Sequence, residues 1–313
     1  GYGDQVERSS GTDPFNRFSF PGQGRLAFVR VNGQGERAVY FAGLSELVAA
    51  EGIPETFRVT LPDSIMAPHN PRISPGAQAV GVLDGAPGDA STVAWSILSN
   101  EVAFNQPLPL GTKVRGWVPT GVVVTTDPVP NARLSQYLAV VQRMGEERWD
   151  LLRVDIVEVD GRLEGQPTTL VSDFPLMFGP YASAGSAYFI GSPGMCVACQ
   201  TIYRIPISGG TLSAPRPDVL DVRSVTYNGN RYGYLAPGLE DATKIVSFSD
   251  ATELVPPGSV DIDSVVAMGS DQHLVVSADT GQGTYDLWFF NGQTRVWYML
   301  KSSVDDLIEV DWK

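Results

Sequence analysis

The chain has 313 residues, of which 43% are apolar, and its 22 basic and 35 acidic residues give a net charge of −13. The length allows a large buried core in one or two domains, and the acidic balance disfavours nucleic acid and anionic lipid surfaces as partners. No window approaches the roughly 20 consecutive apolar residues of a membrane span. The 33 glycines and 23 prolines are spread along the chain, which is typical of many short strands joined by tight turns. We therefore expect an all-β protein.

The first residues, GYGDQVERSSGTD (1–13), form a polar tail without an initiator Met or an apolar leader. This start is typical of a processed, exported protein and is compatible with a lipid anchor upstream of Gly1. The sequence contains no Asn-x-Ser/Thr glycosylation site, which favours a bacterial envelope over a eukaryotic secretory route. We expect the protein in the periplasm or at the cell surface.

Residues 71–83, PRISPGAQAVGVL, read as a short strand, a Ser-Pro-Gly turn and a second strand of alternating polarity. Similar strand-turn-strand units recur along the chain, at residues 17–31, 115–127, 180–191, 224–237 and 264–279. Their turns are centred on Gly22, Gly76, Gly121, Gly185, Gly229 and Ser270. A period of roughly 50 residues is expected for the blades of a β-propeller rather than for a helical solenoid.

Most of these units are followed by a third strand, and some by a fourth, such as TFRVTL (56–61) and RVWYML (295–300). Four antiparallel strands repeated around an axis form a β-propeller, and we predict a single domain over residues 14–313. About six four-stranded blades fit the length, and surplus strand at residues 136–171 leaves seven open. A β-sandwich would also explain the alternation, but it would not explain the regular spacing of the turns.

Two further segments bear on the ring. DLIEVDWK (306–313) follows a complete last blade and is expected to join the first blade and close the ring. LSELVAAEG (44–52) has helical spacing and a glycine at its end, so it predicts one short helix.

The Ser-Pro-Gly and Pro-x-Gly turns, together with IYRIPISGG (202–210), resemble the repeats of the TolB-like, WD-repeat-like propellers of bacterial envelopes. The resemblance covers most of the chain and implies a six-bladed ring. The family's turns contain an Asp that is missing here in PGQG, SPGA, PTGV, SAGS, YNGN and GSDQ. Binding proteins, peptidase propellers and lactonase-like enzymes share such repeats, so the fold does not determine an activity.

Cys196 and Cys199 form the only cysteine pair, in SPGMCVACQ. In an exported chain a CxxC pair is most simply a disulfide, with a redox pair as the alternative. Haem attachment would need a His after the second cysteine, but Gln200 stands there. A zinc site lacks ligands, because the only histidines, His69 and His273, are outside finger spacing.

Other chemistry is weakly indicated. There is no G-x-S-x-G motif for a serine hydrolase, and we assign no catalytic residue. Asp84 and Asp89 lie beside glycine turns and are weak candidates for a structural calcium ion, although they do not follow the EF-hand spacing. We expect no other cofactor and no metal centre.

The segment YDLWFFNGQTRVWYML (285–300) is the densest aromatic patch of the chain. If one face of these strands is exposed, its rings would suit a protein partner. The candidates are Tyr285, Trp288, Phe290, Trp297 and Tyr298. The sequence therefore favours a non-catalytic propeller that binds proteins as a subunit or accessory factor of a bacterial envelope complex. A propeller hydrolase with a cation in its central channel, lactonase-like or glycan-cleaving, and a redox protein using the cysteine pair remain the alternatives.

Overall fold

The structure is a computed structural model. It describes residues 24–32, 34–85, 92–97, 102–107, 113–125, 131–143, 145–183, 185–192, 200–219, 222–227, 233–237, 245–247, 252–268, 273–305 and 307–312. The polar tail 1–13, the pair Cys196 and Cys199, and Asp89 lie outside these residues. So do the turns predicted at Gly22, Gly229 and Ser270.

The first sheet contains three strands and joins both ends of the described chain. Its spatial order is β2, β1, β23. The strands are β1 (Arg25–Val31), β2 (Arg37–Gly43) and β23 (Leu307–Trp312). Because β23 pairs antiparallel with β1, for example at Phe28 and Val310, the predicted closure of the ring by the last strand is confirmed.

The next two sheets have four strands each and run from the inside outwards in chain order. The second sheet is β3 (Pro68–Ile73), β4 (Ala79–Asp84), β5 (Thr92–Ile97) and β6 (Val102–Pro107). The third is β7 (Lys113–Thr125), β8 (Asn131–Gln142), β9 (Trp149–Val159) and β10 (Arg162–Phe174).

The last three sheets repeat this four-stranded meander. The fourth is β11 (Leu176–Ser183), β12 (Ser186–Ser192), β13 (Gln200–Pro206) and β14 (Ser213–Val219). The fifth is β15 (Val222–Tyr227), β16 (Gly233–Pro237), β17 (Ile245–Ser247) and β18 (Glu253–Leu254). The sixth is β19 (Asp261–Met268), β20 (His273–Asp279), β21 (Thr284–Asn291) and β22 (Val296–Asp305).

The innermost strands β3, β7, β11, β15, β19 and β23 contact one another in cyclic order. The all-β propeller is therefore confirmed. Among the described residues five sheets have four strands and the sheet that closes the ring has three, so the prediction of six or seven four-stranded blades is wrong. The surplus strand at residues 136–171 does not build a further blade. It lengthens the strands of the third sheet, which have 11 to 13 residues.

The first sheet lacks the fourth strand predicted at residues 56–61. In its place are a 3₁₀ turn, Glu55–Phe57, and a single β-bridge between Tyr40 and Arg58. Pro54 and Pro62 flank the segment, and proline cannot donate to a ladder. The predicted helix is present as α1 (Leu44–Ala49), with Leu44 and Leu47 buried.

The core consists of apolar layers between neighbouring sheets rather than one central cluster. Second and third strands are covered on both faces, so β12 is buried along its whole length. The Ser-Pro-Gly turn forms as predicted, with Gly76 at φ +77°, a conformation that glycine adopts without steric cost. The Ser74 hydroxyl accepts hydrogen bonds from the backbone N–H groups of Gln78 and Ala79, at 3.2 and 2.9 Å.

In the described part of the chain, none of the helices has the length and apolarity that a membrane crossing requires.

Candidate functional site

The ring closes where β23 lies beside β3, and two carboxylates of β23 cross this seam. Asp311 accepts a hydrogen bond from the backbone N–H of Ile73 at 2.6 Å. Glu309 accepts one from the backbone N–H of Asn70. Because β3 is an innermost strand, one of its edges has no neighbouring strand to satisfy its N–H groups. The two acidic side chains supply those acceptors.

Arg72 connects the same seam to the next blade. Its guanidinium lies 3.6 Å from the carboxylate of Asp311 and donates to the carbonyl oxygen of Trp117 at 3.1 Å. The indole N–H of Trp117 in turn donates to the carbonyl oxygen of Asn70 at 3.1 Å. Asn70 has φ +50°, a left-handed conformation that asparagine tolerates better than most residues. These contacts join β23, β3 and β7 into one polar network.

Burial raises the pKa of Glu309, while the N–H of Asn70 and the charges of Arg72 and Arg37 oppose the rise. A carboxyl with a raised pKa at the centre of a ring is one feature of an acid–base catalyst. Here, however, both oxygens of Asp311 and the Oε2 of Glu309 contact backbone N–H groups or Arg72. Within the described residues, no three His, Cys, Asp or Glu side chains lie close enough to hold a metal ion. The contacts of these carboxylates hold β23 against β3, which is a structural role.

His69, also on β3, is almost fully buried, at 2% exposure. Its Nδ1 lies 3.4 Å from the carbonyl oxygen of Ala67, and within the described structure its Nε2 has no hydrogen-bond partner. Burial lowers its pKa, and the charge of Arg37 lowers it further, while Asp84 and the Ala67 carbonyl act in the opposite direction. His69 is therefore a neutral core residue of the folded state.

This burial predicts a pH dependence. Because the pKa of His69 is lower when folded, the unfolded chain binds the proton more readily, and stability should fall as the pH drops below about 6.5, by at most about 1.4 kcal/mol per pH unit. We expect the free energy of unfolding, measured by urea titration at pH 7.5, 6.5 and 5.5, to decrease less steeply in His69→Phe. The raised pKa of Glu309 has the opposite effect, because it increases the free energy of unfolding as the pH falls. Glu309→Gln removes this contribution and is therefore the companion variant. Equal slopes in wild type and His69→Phe would contradict the assignment.

Asp84 has a structural role in the loop before β3. Its Oδ1 accepts hydrogen bonds from the backbone N–H groups of Met66 and Ala67, at 3.1 and 2.8 Å. These contacts hold residues 66–67 against the end of β4. Asp89, the second calcium candidate, lies outside the described residues. Cys196 and Cys199 also lie outside them, so the disulfide between these two cysteines stays a prediction.

The aromatic residues of β21 and β22 do not form the exposed patch that the alternation suggested. Trp288, Phe290 and Tyr298 are buried, with 7%, 2% and 3% exposure. Tyr285 and Trp297 are partly buried and pack against the same apolar layers. These rings are buried because a sheet inside a propeller ring is covered on both faces by its neighbours. These rings stabilise the packing between blades and leave little area for a partner.

The third sheet has a projection that we call the fork. β8 and β9 pair only between Gln136–Gln142 and Trp149–Asp155. Beyond this point residues 131–135 pair only with β7, and residues 156–159 pair only with β10. The sheet thus splits into two hairpin prongs, residues 121–125 with 131–135 and residues 156–159 with 162–165. At about 3.3 Å per residue, each prong is about 15 Å long.

The base of the fork is well packed. Leu134 and Ile156 are buried, and Val122 and Leu163 pack against them. On the opposite face of the sheet a chain of hydrogen bonds runs from Thr120 through Gln136 to Asp155, at 2.9 and 2.8 Å. Asp155 pairs with Arg153 at 2.9 Å. The prongs therefore project from a fixed base, and not from a loop.

Among the described residues of the fork, the tip of the second prong is exposed and acidic. Val123 and Val159 show 39% and 38% exposure. The second prong and its turn contain the exposed residues Glu158, Asp160, Arg162 and Glu164, three acidic and one basic. In the sequence, the fork is indicated only by the surplus strand at residues 136–171. That surplus also fits a further blade, because periodicity alone does not separate longer strands from additional blades.

Comparison with known proteins supports the fold. No protein-family model matches the chain, and no curated protein matches it. Among solved structures, TolB from Acinetobacter baumannii superposes with a TM-score of 0.59 at 14% identity, covering 98% of this chain and 69% of that one. The β-propeller domain of the Trilobed protease from Pyrococcus furiosus gives 0.50 at 11% identity, over 90% and 95% of the two chains.

The Pyrococcus domain is described as having an open velcro topology, whereas here β23 pairs with β1. A puromycin hydrolase also matches, with a TM-score of 0.48 at 13% identity, over 92% of this chain and 46% of that chain. Identities this low establish the fold and leave the activity open. The resemblance inferred from the turns is confirmed at that level, and the chain has the fold of a TolB-like β-propeller.

Proposed function

We propose that this protein is a non-catalytic, protein-binding propeller and that the fork is its docking element. The observation that supports this proposal most directly is the split of the third sheet, whose prongs extend beyond the blade while their base stays ordered by Leu134, Ile156 and the Gln136–Asp155 hydrogen bond. Folding alone does not require strands of 11 to 13 residues, because the other described strands, of 2 to 10 residues, complete their blades.

The outer edge of the second prong offers a way to bind. β10 is the outermost strand of its sheet, and residues 162–169 are mostly exposed. An edge strand presents a row of unpaired backbone N–H and C=O groups, which an extended segment of another protein can use as a template. Pro167 lacks an N–H, so the pairing segment is residues 162–166.

Charge indicates the partner. The exposed tip contains Glu158, Asp160 and Glu164 against Arg162, and the whole chain has a net charge of −13. Complementary charge accelerates association and disfavours acidic competitors. The partner that fits is a protein with an extended basic segment.

We place this interaction in a bacterial envelope complex, outside the cytoplasm, as the resemblance to the TolB-like propellers of bacterial envelopes implies. The hydrolase alternative has less support, because the seam carboxylates are engaged by Ile73, Asn70 and Arg72. The redox alternative stays a prediction, since the cysteine pair lies outside the described residues.

Shortening the second prong tests the proposal. Replacing residues 157–164 by Asn-Gly joins Ile156 to Gly165 through a two-residue hairpin turn. The blade should survive, with a loss of about 1 kcal/mol from the partly buried Leu163. We expect affinity purification from the native source to recover the partner with wild type and not with the shortened protein, while circular dichroism and the unfolding midpoint stay close to wild type.

A charge variant refines the test. The double substitution of Glu158→Lys with Glu164→Lys should weaken binding about tenfold and reduce its salt dependence. Glu51→Lys with Asp63→Lys makes the same change in net charge at exposed positions of the first blade and the segment that follows it, and should bind normally. Recovery of the same partner by wild type and the shortened protein would contradict a role for the fork.

A further inference from the structure

Arg115 lies at the other end of the third sheet from the fork and has an unusual environment. Its guanidinium carbon is 4.3 Å from the ring centre of Trp149 and 4.5 Å from that of Phe178. Trp149 belongs to the same blade and Phe178 to the innermost strand of the next blade. The guanidinium carbon thus lies over an aromatic ring from each of two neighbouring blades.

No carboxylate balances this charge in the described part of the chain. The hydrogen bond of Arg115 is donated from Nη1 to the backbone carbonyl oxygen of Met177, at 3.2 Å. Burial lowers the pKa of Arg115, and no charged neighbour contributes to the shift. The other arginines at this end of the sheet differ, since Arg143 pairs with Asp150 and Arg148 with Asp173.

Two of the open donor groups of Arg115, Nε and Nη2, lie along one edge of the guanidinium. Among the described residues nothing accepts a hydrogen bond from Nε or Nη2, and neither atom is fully buried. Aromatic rings hold a guanidinium by cation–π attraction and leave its in-plane N–H groups for hydrogen bonding. Two parallel N–H groups match the two oxygens of a carboxylate or a phosphate.

We propose that the Nε–Nη2 edge of Arg115 is an oxyanion-binding site, for a carboxylate or phosphate group of a ligand. The site goes beyond the proposed docking role of the fork and is independent of it, because five residues of β7 separate Arg115 from the first residue of the fork, Gly121. An oxyanion there would compensate a partly desolvated cation that the described chain leaves unpaired.

The test uses sodium acetate and inorganic phosphate as separate probes, with sodium chloride at equal ionic strength as the reference. Binding is followed by the Nε–Hε NMR signal of Arg115, assigned by its absence in Arg115→Met, and by the midpoint of urea unfolding. We expect a saturable shift of this signal with one of the two anions, and the anion that produces it distinguishes a carboxylate site from a phosphate site. Stabilisation should rise with anion concentration as expected for binding to the folded state.

Three variants decide the outcome. Arg115→Met keeps a long side chain between the two rings and should lose anion-dependent stabilisation, by about tenfold or more in affinity. Arg115→Lys keeps the charge without the planar guanidinium and should bind the anion more weakly than wild type. Arg148→Met removes one charge from the same end of the sheet and should bind normally. The same anion response in Arg115→Met and wild type, or no shift of the wild-type Nε–Hε signal beyond that in chloride, would overturn the proposal.

Discussion

Asp311→Ala is expected to lower the free energy of unfolding by about 3 kcal/mol, because it removes one partner of an ion pair that is largely shielded from water. Asp311 is 5% exposed, binds the N–H of Ile73 at 2.6 Å and lies 3.6 Å from the guanidinium of Arg72. The substitution leaves a buried backbone donor without an acceptor and a partly buried cation without its counter-charge. Urea unfolding followed by tryptophan fluorescence measures the loss.

Two further variants separate the two roles of this side chain. Asp311→Asn keeps an oxygen that can accept from Ile73 and removes only the charge, so its loss should be smaller than that of the alanine variant. Arg72→Met combined with Asp311→Asn completes a double-mutant cycle for the pair. If Asp311→Ala is no less stable than Asp311→Asn, the hydrogen bond across the seam contributes nothing to closure of the ring.

Gly116→Ala is expected to destabilise the protein by a similar amount, about 3 kcal/mol, by overpacking. A Cβ at Gly116 would lie 2.1 Å from the carbonyl oxygen of Gly179 and 3.0 Å from its carbonyl carbon. Both atoms belong to the backbone of β11, the innermost strand of the next blade, so no side chain can rotate away. The two inner strands would have to separate, and thermal or urea unfolding would report the cost.

Gly145→Ala is the matched control. Gly145 has φ +78° and no atom within 4 Å of the Cβ position, so its substitution introduces backbone strain without a contact, at a cost of about 1 kcal/mol. A loss at Gly116 no larger than that at Gly145 would show that the inner strands adapt easily. The comparison thus measures how tightly the centre of the ring is packed.

Local patterns predicted much of the architecture. The Ser-Pro-Gly turn before β4 and the short helix α1 follow from residues close together in sequence. Such features depend on φ restrictions of Pro and Gly, on apolar alternation and on helix caps, which act over a few residues. The ring could be inferred from the period of roughly 50 residues between its turns, and its closure from the strand that remains after the last blade.

The errors arose where the environment of a side chain depends on another blade. The alternation along β21 and β22 is also typical of strands with one exposed face, yet Trp288 and Tyr298 are buried between sheets. The surplus strand at residues 136–171 fits either a further blade or longer strands, and only the pairing of β8 with β9, which ends at Gln136 and Asp155, decides between them.

The strands, their turns and the acidic charge follow from the sequence alone, because these depend on composition and on neighbours along the chain. Tertiary structure alone brought Asp311 to Ile73, 238 residues apart, and placed Arg115 between Trp149 and Phe178. Contacts between blades are made by residues far apart in sequence, and no local period encodes which of them meet. That is why the ring could be predicted from the chain, whereas its seam, its fork and the environment of Arg115 required the fold.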